Sequence, residues 1–587
     1  MKQFFKYVFA TITGIIISFF LIIIIGTAII AGMVSTLGNK NTVVVTDNSI
    51  LMINLNYTIT ERSSKNPLQD LDIPGISTEK TLGLNDILAN IKAAKTDNHI
   101  KGIYLDLQPT PGSFATLQEI RDALIDFKRS KKFIIAYSEI YTQGIYYLAS
   151  VADKVYLNPA GEILFNGFSA STMFYKGLFE KLGVEAQVFK VGTYKSAVEP
   201  YILDKMSDAN REQVNSFLGD IYHGYLTNIA KTRNINPDSL FSIANELKVR
   251  KADDAVKYHL IDALKYKDQV LDELRTRLKL KKEDDINTVS IAKYDPETPV
   301  NSAKDRIAVV YAVGEIVSGE GSDETIGSER ISRSLRQVRK DDKVKAVVLR
   351  VNSPGGSALA SDIIWREVML TKKVKPIIVS MGDVAASGGY YISAAADSII
   401  AQPNTITGSI GIFGIYPNLQ GFFNDKLGIT FDVVKTGKYA DLGDISRPVT
   451  ADERAIIQGE VNKGYQTFTQ KVADGRKMTQ PQVDQIGQGR VWTGSQALQI
   501  GLVDRLGNFN EAIKSAAKKA KLKDYRIVSY PAIKDPIQEL LRTGSEQVKN
   551  YFTKQELGVS YPYYVQAKKI IQQSGIQARL PFVVDIR

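Results

Sequence analysis

The stretch "VKAVVLRVNSPGGS" (Val344–Ser357) decides the fold, because the chain contains a second version of it. The stretch "IKGIYLDLQPTPGS" (Ile100–Ser113) lies 344 − 100 = 244 residues earlier. The same offset aligns "FIIAYSEIYTQGIYYLASVADKVYLNP" (Phe133–Pro159) with "IIVSMGDVAASGGYYISAAADSIIAQP" (Ile377–Pro403) without a gap. An ungapped match of this length indicates two copies of one domain.

Each copy alternates short apolar runs with stretches that have helical spacing of apolar residues. "GIYLDL" and "AVVLRV" have the pattern of buried strands, and "ATLQEIRDALIDFKRS" and "LASDIIWREVMLTKK" that of the helices after them. Such alternation is typical of parallel strands joined by right-handed crossovers. The sequence therefore predicts an α/β fold built from two tandem domains.

We expect five segments along the 587 residues. A charged stretch with two prolines, Arg275–Arg306, indicates the end of the first copy and a linker. The C-terminal part lies outside the repeat, contains the predicted helix "IQELLRTGSEQVKNYF", and has no chemistry that the sequence assigns. The expected boundaries are 1–40 for a cytoplasmic N-terminus and membrane anchor, 41–280 for the first copy, 281–305 for the linker, 306–532 for the second copy and 533–587 for a C-terminal extension.

The N-terminal run from Tyr7 to Met33 carries no charge and is long enough to cross a bilayer. Lys2 and Lys6 precede it, and no basic residue follows until Lys40. The positive-inside rule therefore predicts a cytoplasmic N-terminus with the bulk of the chain on the other side of the membrane. A cleaved signal peptide is the alternative, but its apolar region is shorter, about 7–15 residues.

Composition excludes several classes of function. The chain has no cysteine, which excludes thiol catalysis, cysteine–metal sites and disulfides. The formal net charge is 74 − 63 = +11, but the basic residues are scattered, so we expect contact with anionic lipid rather than nucleic acid. We find no motif that indicates a metal or another cofactor.

Positions at which the two copies have different residues are the candidates for catalytic residues. Ser387 lies in "VAASGGYYIS" between small residues, after an apolar run, and the first copy has Gln143 at that position. By itself this serine is either a nucleophile displayed at a strand-to-helix turn or an ordinary helix N-cap. The first copy keeps Lys195 in "VGTYKSAVEP", where the second copy has Ala440. Neither copy holds both residues, so a site that uses both is composite, within one chain or across a subunit interface.

A serine nucleophile needs a base. The histidines, His99, His223 and His259, all lie in the first half in positions typical of structural residues. A lysine serves as the base when burial makes its amine neutral at physiological pH.

Hydrolysis through a serine also needs donors for the oxyanion, and we expect the backbone N–H groups of Gly356 and Gly388 to supply them. Gly388 follows Ser387 at a predicted helix start, where backbone donors are unpaired. In the first copy Pro111 replaces Gly355, as expected for a degraded site.

The motifs "VGTYKSAVEP", "VNSPGGS", "MGDVAASGGYYIS" and "TGSIGIFG" resemble those of the signal peptide peptidase A family in its long, duplicated form. The resemblance covers nearly the whole chain, including the anchor and the closing "QARLPF". It implies a ClpP/crotonase-like fold in both copies, Ser387 as nucleophile and Lys195 as general base. It also implies that Ser409 hydrogen-bonds the lysine amine, whereas the first copy has Phe165 there.

The resemblance further implies a serine endopeptidase of the bacterial inner membrane, with its catalytic body on the periplasmic side. Its substrates would be cleaved signal peptides and similar apolar peptides, and its assembly a ring-like homo-oligomer, with a tetramer favoured. Two alternatives stay open at this point: an acyl-CoA enzyme on the crotonase fold, and a non-catalytic membrane scaffold.

Overall fold

The computed structural model describes residues 2–38, 45–63, 80–109, 112–296, 301–533, 553, 555, 556, 558 and 575–580. The helix predicted from "IQELLRTGSEQVKNYF" and the substituted Pro111 lie outside these residues. Helix α1 (Lys2–Gly38) contains a segment, Gln3–Ile22, that is long and apolar enough to cross a membrane and packs against nothing else in the described chain.

The first half contains one copy of the expected alternation and several additional helices. Its strands are β1 (Ser49–Ile53), β2 (Thr58–Thr60), β3 (Thr81–Gly83), β4 (Ile100–Asp106), β5 (Phe133–Tyr141), β6 (Lys154–Ile163), β7 (Glu185–Val191), β8 (Ala263–Leu264) and β9 (Thr288–Ser290). Its helices after α1 are α2 (Leu84–Thr96), α3 (Phe114–Lys128), α4 (Gln143–Ala149), α5 (Lys176–Leu182), α6 (Glu199–Ile202), α7 (Asp208–Arg233), α8 (Pro237–Asn245), α9 (Ala252–Lys257) and α10 (Lys267–Leu278).

The second half repeats this order of elements. Its strands are β10 (Arg306–Val313), β11 (Glu315–Val317), β12 (Thr325–Gly327), β13 (Val344–Ser353), β14 (Gly355–Ser357), β15 (Ile377–Ala386), β16 (Ser398–Ala401), β17 (Ile406–Gly408), β18 (Ile412–Asn418), β19 (Val491–Thr493), β20 (Arg505–Leu506), β21 (Arg526–Tyr530) and β22 (Gly575–Arg579). Its helices are α11 (Ser328–Lys340), α12 (Ala358–Lys372), α13 (Gly388–Ser393), α14 (Ala451–Arg476), α15 (Gln480–Ile486), α16 (Gly494–Gln499) and α17 (Phe509–Lys519).

Each half is built on its own sheet. The first has the order β8-β6-β5-β4-β1-β9 and is parallel throughout. The second has eight strands: six follow the order β19-β17-β15-β13-β10-β21, while β16 pairs with β15 and β20 pairs with β16. Among these described strands only β19 runs antiparallel to its neighbour. Helices cover these sheets, as buried parallel strands require. The predicted α/β fold with two tandem domains is confirmed. Strand β9 belongs to the first sheet, although it lies in the stretch expected to be linker.

Equivalent residues of the two halves make equivalent hydrogen bonds, which explains why both copies have the same residue at these positions. The hydroxyl of Tyr146 donates to Leu260 O at 2.6 Å, and that of Tyr390 donates to Leu502 O at 2.8 Å. Asp153, which follows α4, and Asp397, which follows α13, each accept a hydrogen bond from the backbone N–H at the start of a strand, β5 or β15. The repeat is therefore present in the structure as well as in the sequence.

A third sheet joins the halves. Its order is β12-β11-β14-β22-β18-β7, so that β7 from the first half pairs antiparallel with β18 from the second. The pairing runs over seven residue pairs, from Ile412–Val191 to Asn418–Glu185. Because Lys195 follows β7 directly, this pairing carries the lysine of the first copy to the serine of the second.

Candidate active site

Ser387 occupies the connection between β15 and α13. Its backbone has φ 53° and ψ −113°, a region that non-glycine residues rarely adopt and that costs about 1–3 kcal/mol. Its side chain makes no capping hydrogen bond to α13. Ser387 is therefore not an ordinary N-cap: the strained turn displays its hydroxyl, as in the strand-to-helix turns of serine hydrolases.

The structure brings Lys195 and Ser387 together within one chain. Lys195 Nζ lies 3.0 Å from Ser387 Oγ, and both side chains are fully buried. The same nitrogen lies 3.0 Å from Ser409 Oγ and 3.3 Å from Ser409 O. All three residues that the sequence singled out for this chemistry thus meet at one point, where the two halves join.

Burial lowers the pKa of Lys195 well below its ordinary value of 10.5. The amine is removed from water, and the ring of Phe413 lies 5.8 Å from it. A buried ammonium without a carboxylate partner is destabilised relative to the neutral amine. In the neutral form, Nζ offers a lone pair to the hydroxyl hydrogen of Ser387.

The backbone of Lys195 is fixed by elements that the sequence did not single out. Gly489 lies so close that a methyl group on it would stand 2.6 Å from Lys195 N, and its φ is +78°. Gln213, fully buried on α7, donates to Tyr194 O at 3.0 Å and accepts from the N–H of Val491 at 3.1 Å. These contacts tie the lysine segment to the second half, and the partners are too distant in sequence to form a local motif.

The two glycines expected to supply the oxyanion donors lie in segments that contact each other next to the serine. Gly388 is the first residue of α13, so its N–H is among those without an intrahelical acceptor. Gly356 lies in β14 with φ +153°, and a methyl group on it would stand 2.1 Å from Ile316 O. Only glycine fits this close approach. A third glycine brings the two segments together, since a methyl group on Gly355 would lie 2.7 Å from Gly388 N.

The equivalent positions of the first copy hold no such arrangement. Gln143, which replaces the serine, donates to Gly167 O at 2.8 Å and accepts from Gly167 N at 3.1 Å. Phe165, at the position of Ser409, is buried among aromatic rings. Ala440, at the position of the lysine in the second copy, is exposed. One composite site therefore forms from the two copies.

The chain is similar to known proteases over most of its length. Residues 126–281 and 369–523 match the model of Peptidase family S49, and residues 300–407 match that of Clp protease. Protease 4 of Salmonella typhi is 40% identical over 475 residues, which cover 79% of this chain and 76% of that protein. Protease 4 of Haemophilus influenzae is 38% identical over 82% of this chain and 80% of its own length. The chloroplastic serine protease SPPA of Arabidopsis thaliana is 34% identical over 75% of this chain and 66% of its own length.

Proposed function

Because the chain belongs to Peptidase family S49 and is a serine protease, we propose that it hydrolyses peptide bonds with a dyad of Ser387 and Lys195. The observation that carries the proposal is the 3.0 Å separation of Lys195 Nζ and Ser387 Oγ in a fully buried setting. Neither an acyl-CoA enzyme nor a passive scaffold is favoured by any finding on the site.

The mechanism is acyl transfer. Neutral Lys195 takes the proton of Ser387 as Oγ attacks the carbonyl carbon, and the N–H groups of Gly356 and Gly388 bind the oxyanion. The lysine then gives that proton to the leaving amine. It next takes a proton from the water that attacks the ester carbonyl, and it returns that proton to Ser387 Oγ as the bond between the acyl carbon and Oγ breaks. Ser409 holds Nζ in line with Oγ throughout, since its hydroxyl and carbonyl both lie within hydrogen-bonding distance.

The substrate is an extended peptide. Strands β14 and β18 flank the dyad in the third sheet with one strand position between them, and a chain in that position pairs with the backbone of both. A peptide bound by such strand addition gains main-chain hydrogen bonds, and pockets for alternate side chains select its sequence. The surroundings of the dyad are apolar, because the ring of Phe413 lies 5.8 Å from Lys195 Nζ and Ile410, next to Ser409, is buried in the core of the second half.

We expect a preference for small or medium apolar residues, such as Ala and Leu, beside the cut. A charged side chain in an apolar pocket loses hydration without gaining a partner. Synthetic signal-like peptides with Ala, Leu, Asp or Lys at that position are digested and the fragments are identified by mass spectrometry. We expect kcat/KM to be at least about 100-fold lower for the charged peptides. Equal cleavage of all four would contradict the proposed substrate class.

Helix α1 fits a membrane-anchored protein, and we propose that the body lies on the periplasmic side. Lys2 and Lys6 precede the apolar run, so the N-terminus stays in the cytoplasm. The anchor holds the groove next to the bilayer, where apolar peptides released from secretory proteins remain. Cleaved signal peptides are therefore the substrates that this arrangement favours.

We further propose that the chains assemble head to tail into a ring, with a tetramer favoured. In the second copy, the segment equivalent to β7 is "ITFDVVKTG", residues 429–437, and it is exposed. In the first copy, the segment equivalent to β18 is "FSASTMF", residues 168–174, and it lies outside the strands given above. Repeating the β7–β18 pairing between chains would cover both segments, and such an interface closes into a ring.

Val434 provides the test of this interface, because its side chain is 97% exposed. We expect Val434→Asp to place an unpaired carboxylate in the interface and convert the detergent-solubilised oligomer to smaller species in analytical ultracentrifugation. Val374→Asp, at an apolar residue that is 63% exposed elsewhere in the second half, is the matched control and should keep the native mass. An unchanged mass for Val434→Asp would exclude this segment from the interface.

A further inference from the structure

The first half carries a basic pocket at the edge of its sheet where the strands begin. Strands β1, β4 and β5 are parallel, so the segments that precede them lie along one edge. The last turn of α10 borders the same edge. An open cavity of about 420 Å³, here called the basic pocket, is lined among others by Asn98, Lys101, Lys131, Lys132, Phe133 and Arg277. None of the described residues that line it is acidic.

The lysine amines of the basic pocket bind backbone carbonyl groups. Lys101 Nζ donates to Asn98 O at 2.8 Å. Lys132 Nζ donates to Ala94 O at 2.8 Å and to Asp97 O at 2.6 Å. Burial lowers the pKa of Lys132, the carboxylate of Asp97 opposes this, and the charge of Lys101 lowers the pKa further. An anion that entered the pocket would therefore relieve repulsion between these cations.

Two acidic residues beside the pocket are already engaged by other groups. The carboxylate of Asp97 accepts a hydrogen bond from the hydroxyl of Tyr294 at 2.8 Å. Glu273 is shared between two cations, since one oxygen lies 2.9 Å from Arg277 Nη2 and the other 2.6 Å from Lys265 Nζ. These two carboxylates leave the pocket with a net positive charge.

The second half separates the structural lysine from the others. Lys375 Nζ donates to Val338 O at 2.7 Å and to Asp341 O at 2.5 Å. These carbonyls lie at the positions equivalent to those that Lys132 binds, because 338 − 94 and 341 − 97 both equal 244. Both halves therefore use one lysine to tie the end of a helix to the following turn, and Lys132 has this structural role.

The excess of positive charge is specific to the first half. Lys345 is the equivalent of Lys101, since 345 − 101 = 244, and its amine lies 3.9 Å from Asp305 Oδ1. Asp342 stands where the first half has Asn98, since 342 − 98 = 244. The equivalent edge of the second half thus carries carboxylates beside its lysine. A purely structural role for this edge does not explain why the first half lacks them.

The polypeptide that connects to the membrane anchor enters the body at this same edge. Asn48 Nδ2 donates to Leu278 O at 3.0 Å, and Ser49 N donates to His99 O at 2.9 Å. Leu278 and His99 are each adjacent in sequence to a residue that lines the pocket. Helix α1 ends at Gly38, 48 − 38 = 10 residues before Asn48. Ten residues span at most about 36 Å when fully extended, so the pocket stays near the end of the anchor.

We propose that the basic pocket binds the phosphate of an anionic phospholipid headgroup and so docks this edge of the first sheet on the bilayer. The proposal rests on the membrane anchoring proposed for α1 and not on the peptidase activity. Lysine and arginine side chains bind phosphate through charge-assisted hydrogen bonds. Each basic residue at an anionic membrane surface strengthens binding about fivefold. One tether alone lets the body turn about it, whereas a second contact fixes which face of the body meets the bilayer.

A fluorophore next to the pocket tests the proposal in the full-length chain, which has no cysteine of its own. Thr96→Cys, at an exposed residue of α2, is labelled. The protein is placed in nanodiscs of phosphatidylcholine, with or without phosphatidylglycerol, that carry a nitroxide quencher on a lipid headgroup. We expect quenching to be at least about twofold stronger with phosphatidylglycerol, because the docked state becomes more populated. Lys101→Glu/Lys131→Glu in the labelled chain should reduce quenching to the level in phosphatidylcholine alone.

Lys343→Glu/Lys345→Glu is the matched control, because it makes the same change of charge at the equivalent edge of the second half. It should keep the stronger quenching with phosphatidylglycerol. All four lysines are exposed, so both double variants should retain the melting temperature and the hydrolysis of a soluble peptide.

Equal quenching in the two lipid mixtures would overturn the proposal. An equal loss of quenching in the two double variants would also overturn it, since net charge rather than the basic pocket would then attract the membrane. Failure of the proposed anchoring looks different, because the chain without lysine substitutions would not co-purify with nanodiscs of either composition.

Discussion

Ser387→Ala and Lys195→Met should each lower kcat for peptide hydrolysis by about 10⁴-fold or more. Without the hydroxyl there is no acyl intermediate, and without the amine nothing removes its proton. The two side chains act as one unit, so the double variant should be no worse than either single variant. Hydrolysis of a signal-like peptide, followed by mass spectrometry, measures all three rates.

The pH profile separates a general base from a structural lysine. Hydrolysis needs neutral Lys195, so kcat/KM should rise tenfold per pH unit below the pKa of that lysine and level off above it. Because burial lowers this pKa, the plateau should begin well below pH 10.5. A profile that kept rising to pH 10.5 would show that the amine is not the base.

The melting temperature shows whether the Ser387→Ala and Lys195→Met variants are folded. The folded-state pKa of Lys195 is lowered, so the unfolded chain binds more protons and the lysine destabilises the fold below pH 10.5. Lys195→Met should therefore raise the melting temperature at pH 7, by an amount that shrinks toward pH 10.5. Ser393→Ala, at a buried serine on the same helix whose hydroxyl donates to Gly389 O at 2.7 Å, should keep activity. Retained hydrolysis by Ser387→Ala would end the proposed mechanism.

The sequence predicted the fold and the chemistry of the site because the two copies of the repeat can be compared with each other. The repeat aligns Ser387 with Gln143 and Lys195 with Ala440, so the loss of a different partner in each copy could be seen without a structure. Whether the pair forms within one chain was open. The β7–β18 pairing answers this, and strand pairing between residues so far apart has no signature in a sequence.

Other parts of the site could not be predicted, because they have no counterpart in the repeat. Residues 575–580 lie outside both copies, and nothing in "GIQARL" indicates that it inserts beside Gly356. Gln213 is one glutamine on a long helix, and the pair of bonds by which it links Tyr194 to Val491 exists only after the halves meet. Local pattern predicts elements well and contacts between distant elements poorly.

A buried group of charges between the halves was likewise not predictable from the sequence. We expect its disruption to cause a large loss of stability. Arg350 on β13 is 2% exposed. Its Nε donates to Glu61 Oε2 at 2.9 Å, and its Nη2 lies 2.9 Å from Glu119 Oε1. Both glutamates belong to the first half, so one arginine of the second half neutralises two buried carboxylates across the junction.

Arg350→Met should lower the free energy of unfolding by about 3–5 kcal/mol, because it leaves two buried carboxylates without their cation. Burial raises the pKa of Glu119, and Arg350 opposes that rise. Without the arginine the folded-state pKa of this carboxyl rises further above its unfolded value. The destabilisation should therefore be full near pH 7 and should shrink as the pH falls through the raised pKa. Urea denaturation of the detergent-solubilised full-length chain at pH 7 and pH 5 measures both quantities.

The triple variant Arg350→Met/Glu61→Gln/Glu119→Gln shows whether charge or packing carries the effect. If unpaired charge is the cause, neutral amides in place of the carboxylates should recover most of the lost stability and remove its pH dependence. Peptide hydrolysis should likewise be slow in Arg350→Met and recover in the triple variant, because Lys195 meets Ser387 only while the halves stay together. If Arg350→Met and the triple variant were equally stable, Arg350 would act through its packing. The β7–β18 pairing would then hold the halves together without help from this charge cluster.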